Sequence, residues 1–288
     1  MNKIVSFLVV VLQLLLVQNV FAQDANQSLL ITKLEKVNQS LADKDESKVS
    51  ITLRLADLYS ERARKDAMTE IEKGCATTCN AGVADRSKAL RLYTDILPRV
   101  PEVNKAKVIV QIGHLYQING QEEKAVQFYS KVVDDNSSQS LSAVLKSEAH
   151  LSLAEIFFKK RDYKRAACHY QHILNLPNSN SKGLASYRSA WCSFSTGDEP
   201  SAIKQLETIL TTPSLLAKSS VNGDKSEINT QFHEEVSKDF ALFLTQKSVT
   251  LADVKKLYQL SPVSTRQANV QHLAYELESI KKKAESLM

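Results

Sequence analysis

Metal-ligating side chains gather in one short stretch of the sequence. Cys168, His169 and His172 stand close together there, and thiolate sulfur and imidazole nitrogen are ligands that Zn²⁺ prefers. Cys168 and His172 are four residues apart, so they share one face of a helix. The apolar positions of that helix include Ala166 and Tyr170, which directs both histidines outward. Because no second pair of ligands converges on them in the sequence, we expect surface histidines and no metal.

Two further cysteines could carry thiol chemistry. Cys75 and Cys79 are separated by three residues, unlike the C-x-x-C motif of thioredoxin-type enzymes, and no strand pattern precedes them. They lie close together in a stretch of small residues, so little chain needs to be ordered to join them. We therefore predict a structural Cys75–Cys79 disulfide, with a thiol-redox protein as an alternative.

The sequence contains none of the short motifs that mark common active sites. It has no G-x-S-x-G, no glycine-rich phosphate loop and no H-E-x-x-H. The formal net charge is +5, but the basic residues are dispersed among acidic ones, whereas a nucleic-acid surface needs a dense basic stripe. We therefore predict a protein that is not an enzyme, has no cofactor and binds no nucleic acid.

Helical periodicity runs through almost the whole chain, which predicts the all-α class. The stretch from Ala106 to Asp135 reads as two short antiparallel helices joined at Gly120. Gly113 and Ala125 are twelve residues apart and mark where the two helix axes can come close, because neither carries a bulky side chain. The spacing of twelve recurs at two other pairs of small residues, Ala154 and Ala166, and Ala190 and Ala202. A fourth pair, Ala56 and Ala89, is 33 residues apart because the first repeat is interrupted.

This pattern resembles the tetratricopeptide repeat, W-x2-L-G-x2-Y followed by A-x3-F and then P. Here it stands as Ile109-x2-Ile112-Gly113-x2-Tyr116 and Ala125-x3-Tyr129. The resemblance implies a right-handed helical solenoid that ends in a degenerate helical cap. The expected domains are an N-terminal helix over 23–45, a repeat array over 46–216 whose first repeat carries an insertion at about 60–84, a linker loop over 217–229, and degenerate helices over 230–288.

Residues 1–22 have the features of a signal peptide. Lys3 supplies the positive start, the run from Ile4 to Val17 is mostly apolar, and small residues end the segment. We predict cleavage between Ala22 and Gln23, after which the mature chain has no membrane span. An uncleaved membrane anchor is disfavoured, because the apolar run is shorter than the roughly 20 residues that a bilayer needs. Repeat arrays behind signal peptides are typical of bacteria with two membranes, so the resemblance implies the periplasm, either free or peripheral to the outer membrane.

The first helices of tetratricopeptide arrays line a concave face that contacts peptides. Repeats that bind C-terminal carboxylates present Lys and Asn there, whereas the corresponding side chains here are mostly apolar or aromatic. We therefore predict an apolar peptide or helix as partner. The alternative is that the aromatic residues pack on a neighbouring segment, such as the loop over 214–229. The predicted partner-binding residues are Val110, His114, Leu151, Glu155, Phe158, Tyr187, Trp191 and Phe194.

The resemblance also bears on the two remaining cysteines. It places Cys168 on the second helix of one repeat and Cys192 on the first helix of the next, and those helices are neighbours in a solenoid. We therefore predict a Cys168–Cys192 disulfide that joins two repeats.

The resemblance finally implies a function. Exported repeat proteins of this kind serve bacterial envelope machines, including some tied to gliding motility and outer-membrane assembly. We expect a scaffold that holds other envelope proteins or peptides through the concave face. The alternative is a coiled-coil-plus-repeat factor that links peptidoglycan synthesis to the outer membrane. That function would require self-association through residues 30–41. Residues 270–287 offer a second apolar stripe for self-association.

Overall fold

The computed structural model describes residues 25–76, 79–134, 143–176, 179–218 and 227–285. The predicted signal peptide and its cleavage site lie outside these residues. The described residues fold into helices joined by turns, and the paired β residues among them are limited to one antiparallel bridge between Ala217 and Ile228. The predicted all-α class is confirmed. None of the helices in the described part of the chain combines the length and the apolar character needed to cross a bilayer.

Successive helices form pairs, and a short turn joins the two helices of most pairs. Contacts divide the chain into two compact units, with the boundary between Ala125 and Val126. In chain order the helices are α1 (25–40), α2 (Ser47–Glu72), α3 (Val83–Ile96), α4 (Glu102–Ile118), α5 (Glu122–Val133), α6 (Ala143–Lys159), α7 (Tyr163–Asn175), α8 (Lys182–Ser195), α9 (Glu199–Thr211), α10 (Thr230–Leu244), α11 (Leu251–Leu260) and α12 (Arg266–Glu285).

In the first unit, α1 packs on α2. Its contact face carries Ile31, which is 2% exposed, and two polar side chains. Asn38 accepts a hydrogen bond from Thr52 at 2.9 Å, and Glu35 accepts one from the hydroxyl of Tyr59. The apolar stripe over residues 30–41 is only partly covered by α2. Its members Leu30 and Val37 are 40% and 41% exposed, respectively.

The predicted insertion lengthens the first helix of the first repeat. α2 has 26 residues, and α3 returns along it so that Ala63 and Ala89 are fully buried. Gly82 directly precedes α3 with a left-handed φ of 75°. A Cβ at Gly82 would lie 2.4 Å from the backbone oxygen of Ala63. Because a contact below 3.0 Å with backbone cannot be relieved by moving a side chain, α3 can begin at this point only with glycine.

In the second unit, consecutive helices pack in order from α6 to α10, and α12 packs on both α10 and α11. α10 has the spacing of a first helix, Ser237-x2-Phe240-Ala241-x2-Leu244, and these four residues are at most 1% exposed. The repeat packing therefore continues into the region that the sequence presents as degenerate. α12 closes this core with one apolar seam: Val270, Leu273 and Leu277.

We predict that Gly82→Ala destabilises the protein strongly. An alanine there would combine the left-handed conformation, which costs about 1–2 kcal/mol, with a backbone overlap that adds about 1–3 kcal/mol. Gly120→Ala is the matched control, because Gly120 has a φ of 72° and nothing within 4 Å of an added Cβ. Urea denaturation of both variants would measure the difference. Equal losses of unfolding free energy would contradict the close contact.

Candidate partner-binding face

The aromatic side chains of α8 are packed against α10. The Tyr187 side chain is 4% exposed, and Trp191 and Phe194 are partly buried on the core of the second unit. Phe194 stacks on Phe243 of α10 with ring centroids 4.0 Å apart, and Trp191 meets the same ring edge-on at 5.0 Å. Tyr187 is therefore closed to a partner, and the alternative that the rings pack on a neighbouring segment holds, with α10 as that segment. Trp191 and Phe194 remain partly exposed, so their contact with a partner stays a prediction.

A buried carboxylate fixes this contact between α8 and α10. Asp239 accepts hydrogen bonds from the Trp191 indole nitrogen at 2.9 Å and from the Tyr187 hydroxyl at 2.5 Å. Glu235 accepts a second bond from Tyr187 at 3.1 Å. Burial raises the pKa of Asp239, although both hydrogen bonds act in the opposite direction. The indole N–H and the phenol hydroxyl are thus engaged within the protein and are not free to donate hydrogen bonds to a partner.

A second part of the predicted face lies on α6, and it stays partly exposed. Leu151, Glu155 and Phe158 are all intermediate in burial. Glu155 accepts a hydrogen bond from the Tyr170 hydroxyl at 2.7 Å and lies 3.3 Å from the Arg188 guanidinium of α8. The same guanidinium lies 5.2 Å from the centre of the Phe158 ring. We call Leu151, Glu155, Phe158 and Arg188 the α6 face.

Comparison with known sequences identifies one repeat in the chain. A sequence profile described as the tetratricopeptide repeat matches residues 106–134. Residues 106–134, which include most of α4 and all of α5, therefore form a tetratricopeptide repeat. No curated protein matches the sequence.

Several solved structures resemble this chain at low identity, among them the following three. MamA is 20% identical with a TM-score of 0.42, over 70% of this chain and 93% of MamA. BtubC (BKLC) from P. vanneervenii is 16% identical with a TM-score of 0.44, over 91% of this chain and 90% of that one. A tetratricopeptide repeat protein from Parabacteroides merdae is 13% identical with a TM-score of 0.35, over 88% of this chain and 94% of that one.

The remaining predicted binding residues belong to α4, inside the tetratricopeptide repeat that the profile matches. Val110 is 0% exposed, so it cannot touch a partner and its assignment to the binding face is wrong. His114 is partly exposed. The sequence analysis did not include Arg188, which follows Tyr187 and projects towards α6. A charged residue next to the aromatic residues of α8 could have indicated its place at this face.

Of the two predicted disulfides, the structure contains one. Cys75 and Cys79 are joined, with their Cα atoms 5.8 Å apart, and the Glu70 carboxylate accepts backbone hydrogen bonds from Asn80 and Ala81 beside them. This disulfide and Glu70 therefore fasten the loop to the end of α2.

The predicted Cys168–Cys192 disulfide is wrong. Both thiols are free, and Cys168 is exposed whereas Cys192 is 2% exposed. The two helices are neighbours as expected, but Cys168 lies on the outer side of α7. Cys192 faces inward, near the charges of Glu155 and Arg188. Burial raises the pKa of the Cys192 thiol to about 12.

We predict that thiol titration separates these cysteines. In native protein one thiol per chain, Cys168, should react rapidly, because the reagent reaches an exposed thiol, whereas Cys192 is both buried and protonated. Oxidised, denatured protein should give two thiols, and Cys168→Ser should lower both counts by one. Four thiols in the denatured protein would contradict the Cys75–Cys79 disulfide, and none would contradict the free state of the other pair.

Proposed function

We propose that this protein is an exported scaffold that holds other proteins in a bacterial envelope assembly or motility machine, in the periplasm and without catalysis of its own. Tetratricopeptide repeats generally bind protein partners, and the repeat over residues 106–134 supports the scaffold. The signal-peptide features of residues 1–22 support export. The Cys75–Cys79 disulfide suits an oxidising compartment, since such bonds persist there and are rare in the cytosol.

The observation that carries the scaffold proposal is the α6 face. It presents two apolar side chains, Leu151 and Phe158, on either side of a charged pair that is already formed. The Tyr170 hydroxyl and the Arg188 guanidinium hold Glu155 in place, and Tyr163 meets the Phe158 ring edge-on at 5.5 Å. Side chains that are ordered before binding lose little conformational entropy when a partner arrives. This arrangement fits an apolar peptide or helix flanked by charge.

The proposal predicts that Phe158→Ala weakens partner capture by at least about tenfold, since aromatic anchors of interfaces contribute about 2 kcal/mol or more. The measurement is quantitative mass spectrometry of proteins that copurify with the tagged chain from an envelope extract. Tyr275→Ala is the matched control, because Tyr275 is an aromatic residue of α12 that is 69% exposed and lies outside the α6 face.

Circular dichroism on both variants should show unchanged helix content, because Phe158 and Tyr275 are both surface-accessible. Equal capture by Phe158→Ala and the natural protein would contradict the role of the α6 face. Equal losses in both variants would do so as well, because the effect would then not depend on where the aromatic ring was removed.

One observation favours the coiled-coil-plus-repeat alternative, namely the exposure of Leu30 and Val37 on α1. That function requires the protein to associate through residues 30–41. Analytical ultracentrifugation of the mature protein distinguishes the two functions, because the scaffold proposal is compatible with a monomer and the coiled-coil alternative is not.

A further inference from the structure

Three histidines meet on the pair of helices formed by α6 and α7. His150 of α6 is 8% exposed. Its ring stacks on that of His172 at 4.6 Å and is tilted against that of His169 at 5.3 Å. His150 is 19 residues from His169 in the sequence, so only the packing of the two helices brings the third imidazole to the pair that the sequence shows.

Two of these imidazoles already hold their ligand atoms at a chelating distance. The Nδ1 atoms of His150 and His169 are 3.0 Å apart. In a zinc site each nitrogen lies about 2.0–2.1 Å from the ion, so two nitrogens at the tetrahedral angle are about 3.3 Å apart and two at a right angle about 2.9 Å. The observed separation lies between these values. A hydrogen bond between one protonated and one bare nitrogen would also give this distance.

The surroundings hold the two rings in place and keep them neutral. Phe157 stacks on His169 with centroids 5.6 Å apart. Burial and the nearby imidazoles lower the pKa of His150 to about 4, with a smaller effect from Lys146. Burial and His172 lower the pKa of His169; Arg165 acts in the same direction, and the carboxylate of Asp134 opposes them. Neutral imidazole is the form that binds metal. Where the two Nδ1 atoms share a hydrogen bond, the proton on one of them moves to its Nε2 before both Nδ1 atoms bind the ion.

We propose that His150, His169 and His172 form a binding site for a divalent transition-metal ion of the zinc and copper type, which imidazole ligands suit. His150 and His169 supply two nitrogens across the helix pair. His172 supplies the third after rotation of its side chain, because its ring is now stacked on His150 instead of directed at the same point. His172 is exposed and has room for that rotation on the solvent side.

The site differs from the other donor cluster in the described residues. Glu70, Cys75 and Cys79 place their ligand atoms within 4.8 Å of one another without any rearrangement, but the two sulfurs are joined in the disulfide, which removes both thiolates. The histidine site also differs from the Cys168–His172 pair, whose spacing of four would chelate a metal on the outer surface of α7 alone. Because the proposed site spans α6 and α7, a bound ion should stabilise the packing of the helix pair.

The test is isothermal titration of tag-free, oxidised protein with Zn²⁺ alone. We expect one ion per chain with a dissociation constant of about 10 μM or tighter, and a thermal unfolding midpoint that rises with Zn²⁺ and falls back with chelator. His169→Asn should weaken binding at least tenfold, and His150→Asn should do the same. His172→Asn should weaken it by a smaller factor, since this residue supplies the ligand that must rotate.

Two controls make the result specific. His272→Asn removes a histidine of α12 whose neighbour is Glu276, and it should leave the affinity unchanged. Cys168→Ser should also leave it unchanged. Circular dichroism establishes that each variant is folded; if His150→Asn unfolds the chain, His169→Asn decides the question. Absence of binding at about 100 μM Zn²⁺, full affinity in His169→Asn, or loss of binding in Cys168→Ser would each overturn the proposal.

Discussion

The close approach of paired helices at small side chains is the constraint on which the rest of this fold depends. Two helix axes come closest where the side chains at the crossing are small, because the distance between the axes depends on those side chains. Larger residues are then displaced to either side of the contact, where they fill the space between pairs and form the core. The residues at these contacts are all 0% exposed: Ala56, Ala89, Ala154, Ala166, Ala190, Ala202 and Ala241.

A recurring hydrogen bond is built on those contacts, and it is replaced in the pair formed by α8 and α9. In two pairs, a tyrosine of the second helix donates to the carboxylate that directly follows the small residue of the first: Tyr93 to Asp57, and Tyr170 to Glu155. In α8 and α9 the corresponding positions hold Trp191 and Leu206, which cannot form this bond. Trp191 donates to Asp239 of α10 instead. The hydrogen bond within a helix pair is thus replaced by one that joins α8 to α10, the first helix after that pair.

The sequence predicted the helices and their pairing because both follow from local spacing, which survives along the whole array. It could not assign the binding face. The side chains on the first helix of a repeat that could contact a partner can also pack on the first helix of the following repeat, and the spacing is the same in both cases. α10 was hidden as such a helix because Asp253, and no small residue, stands twelve positions after Ala241. The predicted Cys168–Cys192 disulfide was wrong for a related reason. The two helices are neighbours, as predicted, but the rotation of each helix about its axis depends on packing. His150 gave no local signal.

The account depends most on the claim that the aromatic side of α8 is an internal joint and not an open groove. Trp191 is the single tryptophan of the chain, so its fluorescence reports this position alone. In partner-free protein we expect blue-shifted emission that iodide quenches weakly, because the ring packs on Phe243 and its nitrogen is bonded to Asp239. Emission typical of an indole in water, quenched readily by iodide, would contradict the joint and restore the groove.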